Sequence, residues 1–284
     1  MKKIDLHVHS NASDGRFSPS EIIDLALAEK VFGIALTDHD NVDGLKEAED
    51  CAKGKPLEFV PGIEFSANPG ELTPEIHIVG LFLDYKNEEL LKLIDKQKDF
   101  SVKKTNKTIG RLNELGYEIT REEVVLDSKK EIFGRPEIAD LLMKKYSYFK
   151  EKRQIFDELL GQNGKAFFKN ESSSMADIIK AIHSARGLAF LAHPAYITNL
   201  EEVVKEFAKF GGDGIEIDYP YTNLDVDKKK LKESLQKIAK KYNLLVSGGT
   251  DFHDFKKGEP RIGDFGVSEE EFEKILEYRT KRYS

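Results

Sequence analysis

The sequence predicts an α/β protein made of βα units around a parallel sheet, on the scale of one barrel domain. Three observations carry this. Short apolar runs alternate with amphipathic helical patterns, the signature of βα units. The chain has 284 residues, ordinary for a single α/β barrel of roughly 250. Histidines and acidic residues gather at the ends of the apolar runs, where parallel βα architectures place their active sites.

The first strand runs from Ile4 through Asp5-Leu6-His7-Val8-His9 into a glycine-containing turn at Asp14-Gly15. Residues two apart on an extended strand share a face, so His7 and His9 turn both imidazoles to one side while Leu6 and Val8 pack the other way. Ser18-Pro19-Ser20-Glu21 reads as a helix start with proline at its first position, and Ile22, Leu25 and Ala26 continue an apolar face. A strand at 33–36 ends at Thr37-Asp38-His39-Asp40. A helix near 42–53 leads to a strand at 57–60 that ends at Pro61-Gly62-Ile63-Glu64, and a fourth strand spans 75–82 with His77 inside it. Residues 87–170 then read as helical throughout, with Leu90, Leu91, Ile94, Ile109, Leu112, Ile138, Leu141 and Leu142 at helical spacings. From Met175 the alternation resumes: a helix to 185, a strand at 188–192 ending at His193-Pro194, and a helix at 200–210. A strand at 214–217, a lysine-rich helix at 226–242, a strand at 244–247 ending at Gly248-Gly249-Thr250-Asp251-Phe252-His253, and a helix at 269–279 complete the series. The division this gives is 1–86 and 175–284 for the two parts of a barrel, with 87–174 as a helical insertion.

Composition narrows the function classes. A formal charge of -7 argues against a surface that coats nucleic acid generally, but not against an anionic substrate, because bound cations invert the local electrostatics. The single cysteine, Cys51, permits neither an internal disulfide nor a cysteine-based zinc motif. That fits a reducing cytoplasm. No sustained apolar stretch reads as a signal peptide or membrane span. Nothing demands a protein partner, and a monomer is expected.

Six of the seven histidines (His7, His9, His39, His77, His193 and His253) lie in or just after a strand, as do Glu64 and Asp251. Only His183 falls elsewhere, in the last turn of a helix, where the helix dipole favours a cation and a structural role is expected. A mixed His/Asp/Glu set suits zinc, manganese or iron. With Asp14 the candidate ligands number nine: His7, His9, Asp14, His39, Glu64, His77, His193, Asp251 and His253. A catalytic zinc takes about three protein ligands, so two or three divalent ions are expected. Asp38 and Asp40 stand close enough in sequence to orient a ligand histidine.

The combination of His-x-His, Thr-Asp-His-Asp, Pro-Gly-Ile-Glu, a strand histidine, Ala-His-Pro and Asp-Phe-His resembles the PHP (polymerase and histidinol phosphatase) superfamily of metal-dependent phosphoesterases. The resemblance implies a distorted seven-stranded (βα) TIM-like barrel (the PHP fold) with an inserted helical cap subdomain. It also implies a trinuclear site: one metal on His7, His9, Glu64 and Asp251, a second sharing Glu64 with His77 and His193, and a third on Asp14, His39 and His253. Phe133-Gly134-Arg135-Pro136-Glu137-Ile138-Ala139 is similar to the Gly-Arg-Pro-His-Ile-Ala motif of the branch that holds 3',5'-nucleoside bisphosphate phosphatases and 5'-to-3' exoribonucleases. That likeness marks Arg135, and Lys165 further on, as cations for substrate phosphate; Glu137 stands where the motif has histidine, an acceptor in place of a donor. Asp254, after His253, departs from the small residue common in the family. Lys103, Lys107 and Arg111 form an i, i+4, i+8 stripe that reads as a solvated helix face.

The activity expected is hydrolysis of a phosphomonoester by a metal-bridging hydroxide, with no side chain assigned as a further catalytic group. A nucleotide such as a 3',5'-nucleoside bisphosphate is the leading substrate. The alternatives are a 5'-3' exonuclease on short RNA, a histidinol-phosphate phosphatase, and a non-catalytic metal-binding module.

Overall fold

The computed structural model describes residues 3–73, 76–168, 171–222, 224–256 and 259–284. The chain divides into two units, Met1–Ile94 with Ser173–Ser284, and Asp95–Ser172.

The first unit is a seven-stranded barrel with strands in sequence order. They are β1 (Ile4–Asp5), β2 (Gly33–Leu36), β3 (Glu58–Ala67), β4 (Ile76–Leu81), β5 (Leu188–Leu191), β6 (Gly214–Asp218) and β7 (Leu245–Gly248). Backbone bonds from Leu6 N–H to the Gly248 carbonyl and from His9 N–H to the Phe252 carbonyl join the chain after β1 to the end of β7 and the chain that follows it. Glu75, the expected first residue of the fourth strand, lies outside the described residues.

One expectation is corrected. The sheet is not parallel throughout, because β4 pairs antiparallel with both β3 and β5. Parallel neighbours need a crossover of about a dozen residues or more, and the link from Ala67 to Ile76 is shorter. β3 also continues through Pro61 and Gly62 to Ala67, where the sequence reading ended it at the proline. The other connections carry helices: α1 (Pro19–Ala28), α2 (Leu45–Ala52), α7 (Met175–Ser184), α8 (Leu200–Lys209), α9 (Lys228–Lys241) and α10 (Glu269–Tyr283). α1 starts where the sequence places it, with the Ser18 hydroxyl accepting from Glu21 N–H and the Glu21 carboxylate accepting from Ser18 N–H.

Strand alternation separates two cores. Ile34, Leu36, Ile63, Phe65, Ile78, Leu191, Ile215 and Ile217 pack with the surrounding helices. Ile4, Leu6, Ala35, Val60, Val79, Leu81, Leu188, Phe190 and Ala192 form a second cluster, joined by Phe272 and Ile275 of α10. Glu64, His77 and Glu216 share strand parity with the second set, so period-2 geometry puts them on the same face as the barrel filling. Leu6 and Val8 fall into different clusters, because β1 ends at Asp5 and the chain beyond it is only partly laddered.

The second unit holds most of α3 (Glu88–Glu114), with α4 (Arg121–Ser128), α5 (Arg135–Lys145), α6 (Lys152–Ile155) and a π-helical turn Phe156–Leu160. Its core includes Ile109, Leu112, Val124, Ile138, Leu142, Leu159 and Leu160. The opening turns of α3 belong to the barrel, where Leu90, Leu93 and Ile94 are buried. Among the described residues no helix is long and apolar enough to cross a membrane.

Candidate metal centre

Glu64 is the hub. Its Oε2 stands 3.3 Å from His7 Nε2, 3.3 Å from His9 Nε2 and 3.1 Å from His39 Nδ1. Its Oε1 stands 2.9 Å from His77 Nδ1 and 3.0 Å from His193 Nε2. Five imidazoles on one carboxylate exceed its roughly four acceptor positions. Asp251 Oδ1 joins from the other side, 3.0 Å from His9 Nε2 and 3.5 Å from His7 Nε2. Asp14 Oδ1 lies 3.2 Å from His253 Nε2 and 3.8 Å from His9 Nδ1. All nine residues singled out in the sequence therefore converge in one cluster.

Among the described residues, candidate ligand atoms close enough for one ion fall into three groups: His7, His9, Glu64 and Asp251; His9, Asp14, His39 and His253; and His39, Glu64 and His77. The first is the set implied by the resemblance. The other two differ from it in detail: His9 also faces Asp14, and His39 turns Nδ1 towards Glu64. His193 keeps its place on Glu64 Oε1.

The buried atoms test whether a cation fits. His7 Nε2, both ring nitrogens of His9, Glu64 Oε2 and Asp251 Oδ1 are buried without a hydrogen-bond partner. Native proteins rarely leave such atoms unsatisfied, and these are the donor types that bind Zn, Mn or Fe. Burial opposes ionisation of Glu64 and Asp251, yet the surrounding histidines hold both well below the ordinary carboxylate range. Burial likewise opposes protonation of His9, but the Asp251 and Glu64 carboxylates push it up to about 10. His39 goes the other way, down to about 4, chiefly by burial. Positive charge, from protons or metal, is what the anionic cluster requires.

Three residues around this centre escaped the sequence reading. Glu216 of β6 accepts from His7 Nδ1 at 3.1 Å and from the His193 backbone N–H at 2.7 Å. A carboxylate only accepts, so this bond puts the proton on Nδ1 and aims the Nε2 lone pair at the cluster. Tyr219 donates its hydroxyl to Asp251 Oδ2 at 2.8 Å. Asp5, pushed up to about 6 by burial, accepts from Thr250 N–H and hydroxyl and from Gly263 N–H. The signal for Glu216 lay in Gly214-Ile215-Glu216-Ile217, where an acidic residue alternates with two apolar ones and so faces the barrel filling. Asp38, expected from its place in the sequence to orient a ligand histidine, instead holds Ser10 N–H, Ser10 hydroxyl and Ser13 hydroxyl, and so braces the loop leading to Asp14. Asp40 accepts from Ser66 N–H.

His193, Asp251, Asp40 and Tyr221 all have positive φ, at 29°, 54°, 45° and 43°. Non-glycine residues in this region are uncommon and gather at functional sites. His183 is structural as expected, with Nε2 2.8 Å from the buried Asp213 and Nδ1 accepting from Arg282.

In the helical unit, the Arg135 guanidinium donates to the Leu160 carbonyl at 3.1 Å and lies 5.5 Å from the Phe167 ring. Lys165 is exposed. Glu137 closes the N-terminus of α5 by accepting from Gly134 N–H, and pairs with Lys130 at 3.2 Å. Lys107 and Arg111 of the basic stripe pair with Glu171 and Glu114, as a solvated face would. Arg16 pairs with Asp254 at 3.3 Å.

A barrel that gathers nine histidine and carboxylate side chains in one cluster fits a metal-dependent hydrolase class, and the comparisons agree. The PHP domain matches residues 5–188, and the chain belongs to that family, as a metal-dependent phosphoesterase acting on phosphoric ester bonds. It is 34% identical over 258 residues to a 5'-3' exoribonuclease from Haemophilus influenzae, covering 89% of this chain and 90% of that one. It is 30% identical over 268 residues to a 3',5'-nucleoside bisphosphate phosphatase from Chromobacterium violaceum, covering 93% and 91%. Among solved structures it is similar to a protein described as a metal-dependent phosphoesterase from Bifidobacterium adolescentis, with TM-score 0.81, 25% identity, and 98% and 96% of the two chains covered.

Proposed function

We propose that the chain hydrolyses a phosphomonoester of a nucleotide, such as a 3',5'-nucleoside bisphosphate, using two or three divalent ions of the Mn, Fe and Zn group held by His7, His9, Asp14, His39, Glu64, His77, His193, Asp251 and His253. The observation that carries this reading is Glu64, whose two oxygens meet five imidazoles while buried ligand atoms around it lack partners. Bound ions would acidify a water and supply charge that stabilises the phosphoryl oxygens. The chain's own part is to hold that charge in place. Asp14, Glu64 and Asp251 would repel a phosphate on their own, so their neutralisation is the condition for substrate entry. Glu216 fixes the His7 tautomer, Tyr219 orients Asp251, and Asp5 ties Thr250 beside it. Arg135 and Lys165 are proposed as cations for substrate phosphate, through charge-assisted hydrogen bonds.

A second reading, 5'-3' exonuclease action on short RNA, is supported by the Haemophilus influenzae relative. The test is phosphate and nucleotide release from adenosine 3',5'-bisphosphate, from 5'-phosphorylated oligoribonucleotides of increasing length, and from histidinol phosphate, with Mn-loaded and chelated protein. Preference for the bisphosphate supports the leading reading. Efficiency that rises with RNA length would replace it with the second, and preference for histidinol phosphate would overturn both.

A further inference from the structure

Three tyrosines collect beside His193. Tyr196 ends the 3-10 turn Pro194–Tyr196 that follows β5, while Tyr219 and Tyr221 follow β6. The ring centroids of Tyr196 stand 6.1 Å from Tyr219 and 5.6 Å from Tyr221, and those two are 4.8 Å apart. The His193 ring is 5.5 Å from Tyr219 and 6.2 Å from Tyr196. These are ordinary separations for aromatic pairs in contact.

The three rings are not equivalent. Tyr219 is tied to Asp251 through its hydroxyl. Tyr221 is buried, at 2% exposure, on a backbone with φ of 43°. A bulky residue in that conformation persists only where its surroundings over-determine it. Tyr196 rests on this fixed pair and leaves 41% of its surface exposed. The rings meet at 86° for Tyr196 and Tyr219, 58° for Tyr196 and Tyr221 and 55° for Tyr219 and Tyr221, so the Tyr196 ring is braced by the other two beside a histidine of the metal centre, with few side-chain torsions left to freeze when something binds.

We propose that Tyr196 is a specificity-determining residue that stacks the base of the nucleotide whose phosphate enters the centre. The inference rests on the nucleotide reading above and adds the group that recognises the nucleoside. Every base has a π-face, so stacking tolerates any base, and Tyr196 gives preference for a nucleotide over a bare sugar phosphate without selecting adenine.

The test compares kcat/KM on adenosine 3',5'-bisphosphate with kcat/KM on its abasic analogue, 1-deoxyribose 3,5-bisphosphate, for Mn-loaded wild type, Tyr196→Ala and Tyr196→Phe. Stacking on one aromatic ring supports a change of about tenfold to a hundredfold. The preference for the adenosine compound should fall by that factor in Tyr196→Ala and persist in Tyr196→Phe, which keeps the ring. Calorimetric binding of adenosine to chelated protein should weaken in the same order. A preference within twofold of wild type in Tyr196→Ala, with turnover intact, would overturn the stacking alone. Equal loss in Tyr196→Phe would do the same, by pointing to the hydroxyl. Turnover of neither compound by wild type would overturn the nucleotide reading together with the stacking.

Discussion

Replacing Glu216 with glutamine tests whether the centre depends on a residue that would touch no ion. Glu216 makes two bonds in opposite directions, accepting from His7 Nδ1 at 3.1 Å and from His193 N–H at 2.7 Å. Glutamine offers one acceptor oxygen and one NH2 donor, so it can satisfy only one of them. If the oxygen stays on His193, the NH2 faces Nδ1 and drives His7 to the tautomer with its proton on Nε2, the atom now aimed at Glu64 and Asp251. If the oxygen turns to His7, the His193 N–H faces a donor. Changes to partners of metal-ligating histidines cost about 10- to 100-fold in metal affinity or activity, or about 1.4–2.7 kcal/mol. Glu216→Gln should lower metal occupancy, measured by plasma mass spectrometry against a graded chelator, and kcat/KM on a phosphomonoester by that factor. Its helical circular dichroism should be unchanged. A variant within twofold of wild type on both would refute the argument that Glu216 sets the His7 tautomer.

Three further outcomes follow from the geometry. In chelated protein His9, raised to about 10 against its ordinary 6.5, stabilises the fold fully below pH 6.5 and loses that effect as pH rises through about 10. Glu64 and Asp251, held below the ordinary range, contribute above the ordinary carboxylate value of about 4 and fade towards acid. Calorimetry should therefore find the highest Tm of chelated protein between about pH 4.5 and 6.5; a Tm that climbs from pH 6.5 to 10 would contradict this. A β-carbon at Gly249 would lie 2.4 Å from His7 Cβ and 2.5 Å from its backbone nitrogen. Gly249→Ala should cost about 1–3 kcal/mol in denaturant unfolding and reduce metal content. Asp213→Asn weakens the tie among His183, Arg282 and Ala189 N–H. It should destabilise the fold by up to about 3 kcal/mol and leave kcat/KM per folded molecule unaltered, since none of these groups reaches the centre.

The sequence made local structure legible where one segment decides it alone. β2 starts and stops as read, and Ser18, Pro19 and Glu21 fix the start of α1 by capping chemistry that needs no distant residue. Most of the nine converging residues were legible for a different reason: parallel βα connections bring strand ends together whatever the loops do, whereas His77 reaches the centre because it stands near the start of the antiparallel β4. The antiparallel course of β4 was written in the short link after Ala67, but apolar runs look alike in either direction. Glu216, Tyr219 and Asp5 were harder to see because their partners are far away in sequence, as in the Glu216–His7 bond. Asp38 shows the converse. It stands next to His39, yet the fold spends its carboxylate on Ser10 and Ser13.

The most direct test of the account is the metal content and phosphate release of Glu64→Gln beside wild type. Wild type reconstituted with Mn should hold at least two ions per chain and release phosphate from adenosine 3',5'-bisphosphate, with both abolished by chelation. Glu64→Gln removes the charge that meets all five imidazoles, and should lose metal and phosphate release together while remaining folded. Full metal occupancy with wild-type turnover in that variant would contradict the claim that this cluster is the metal centre of the phosphoesterase.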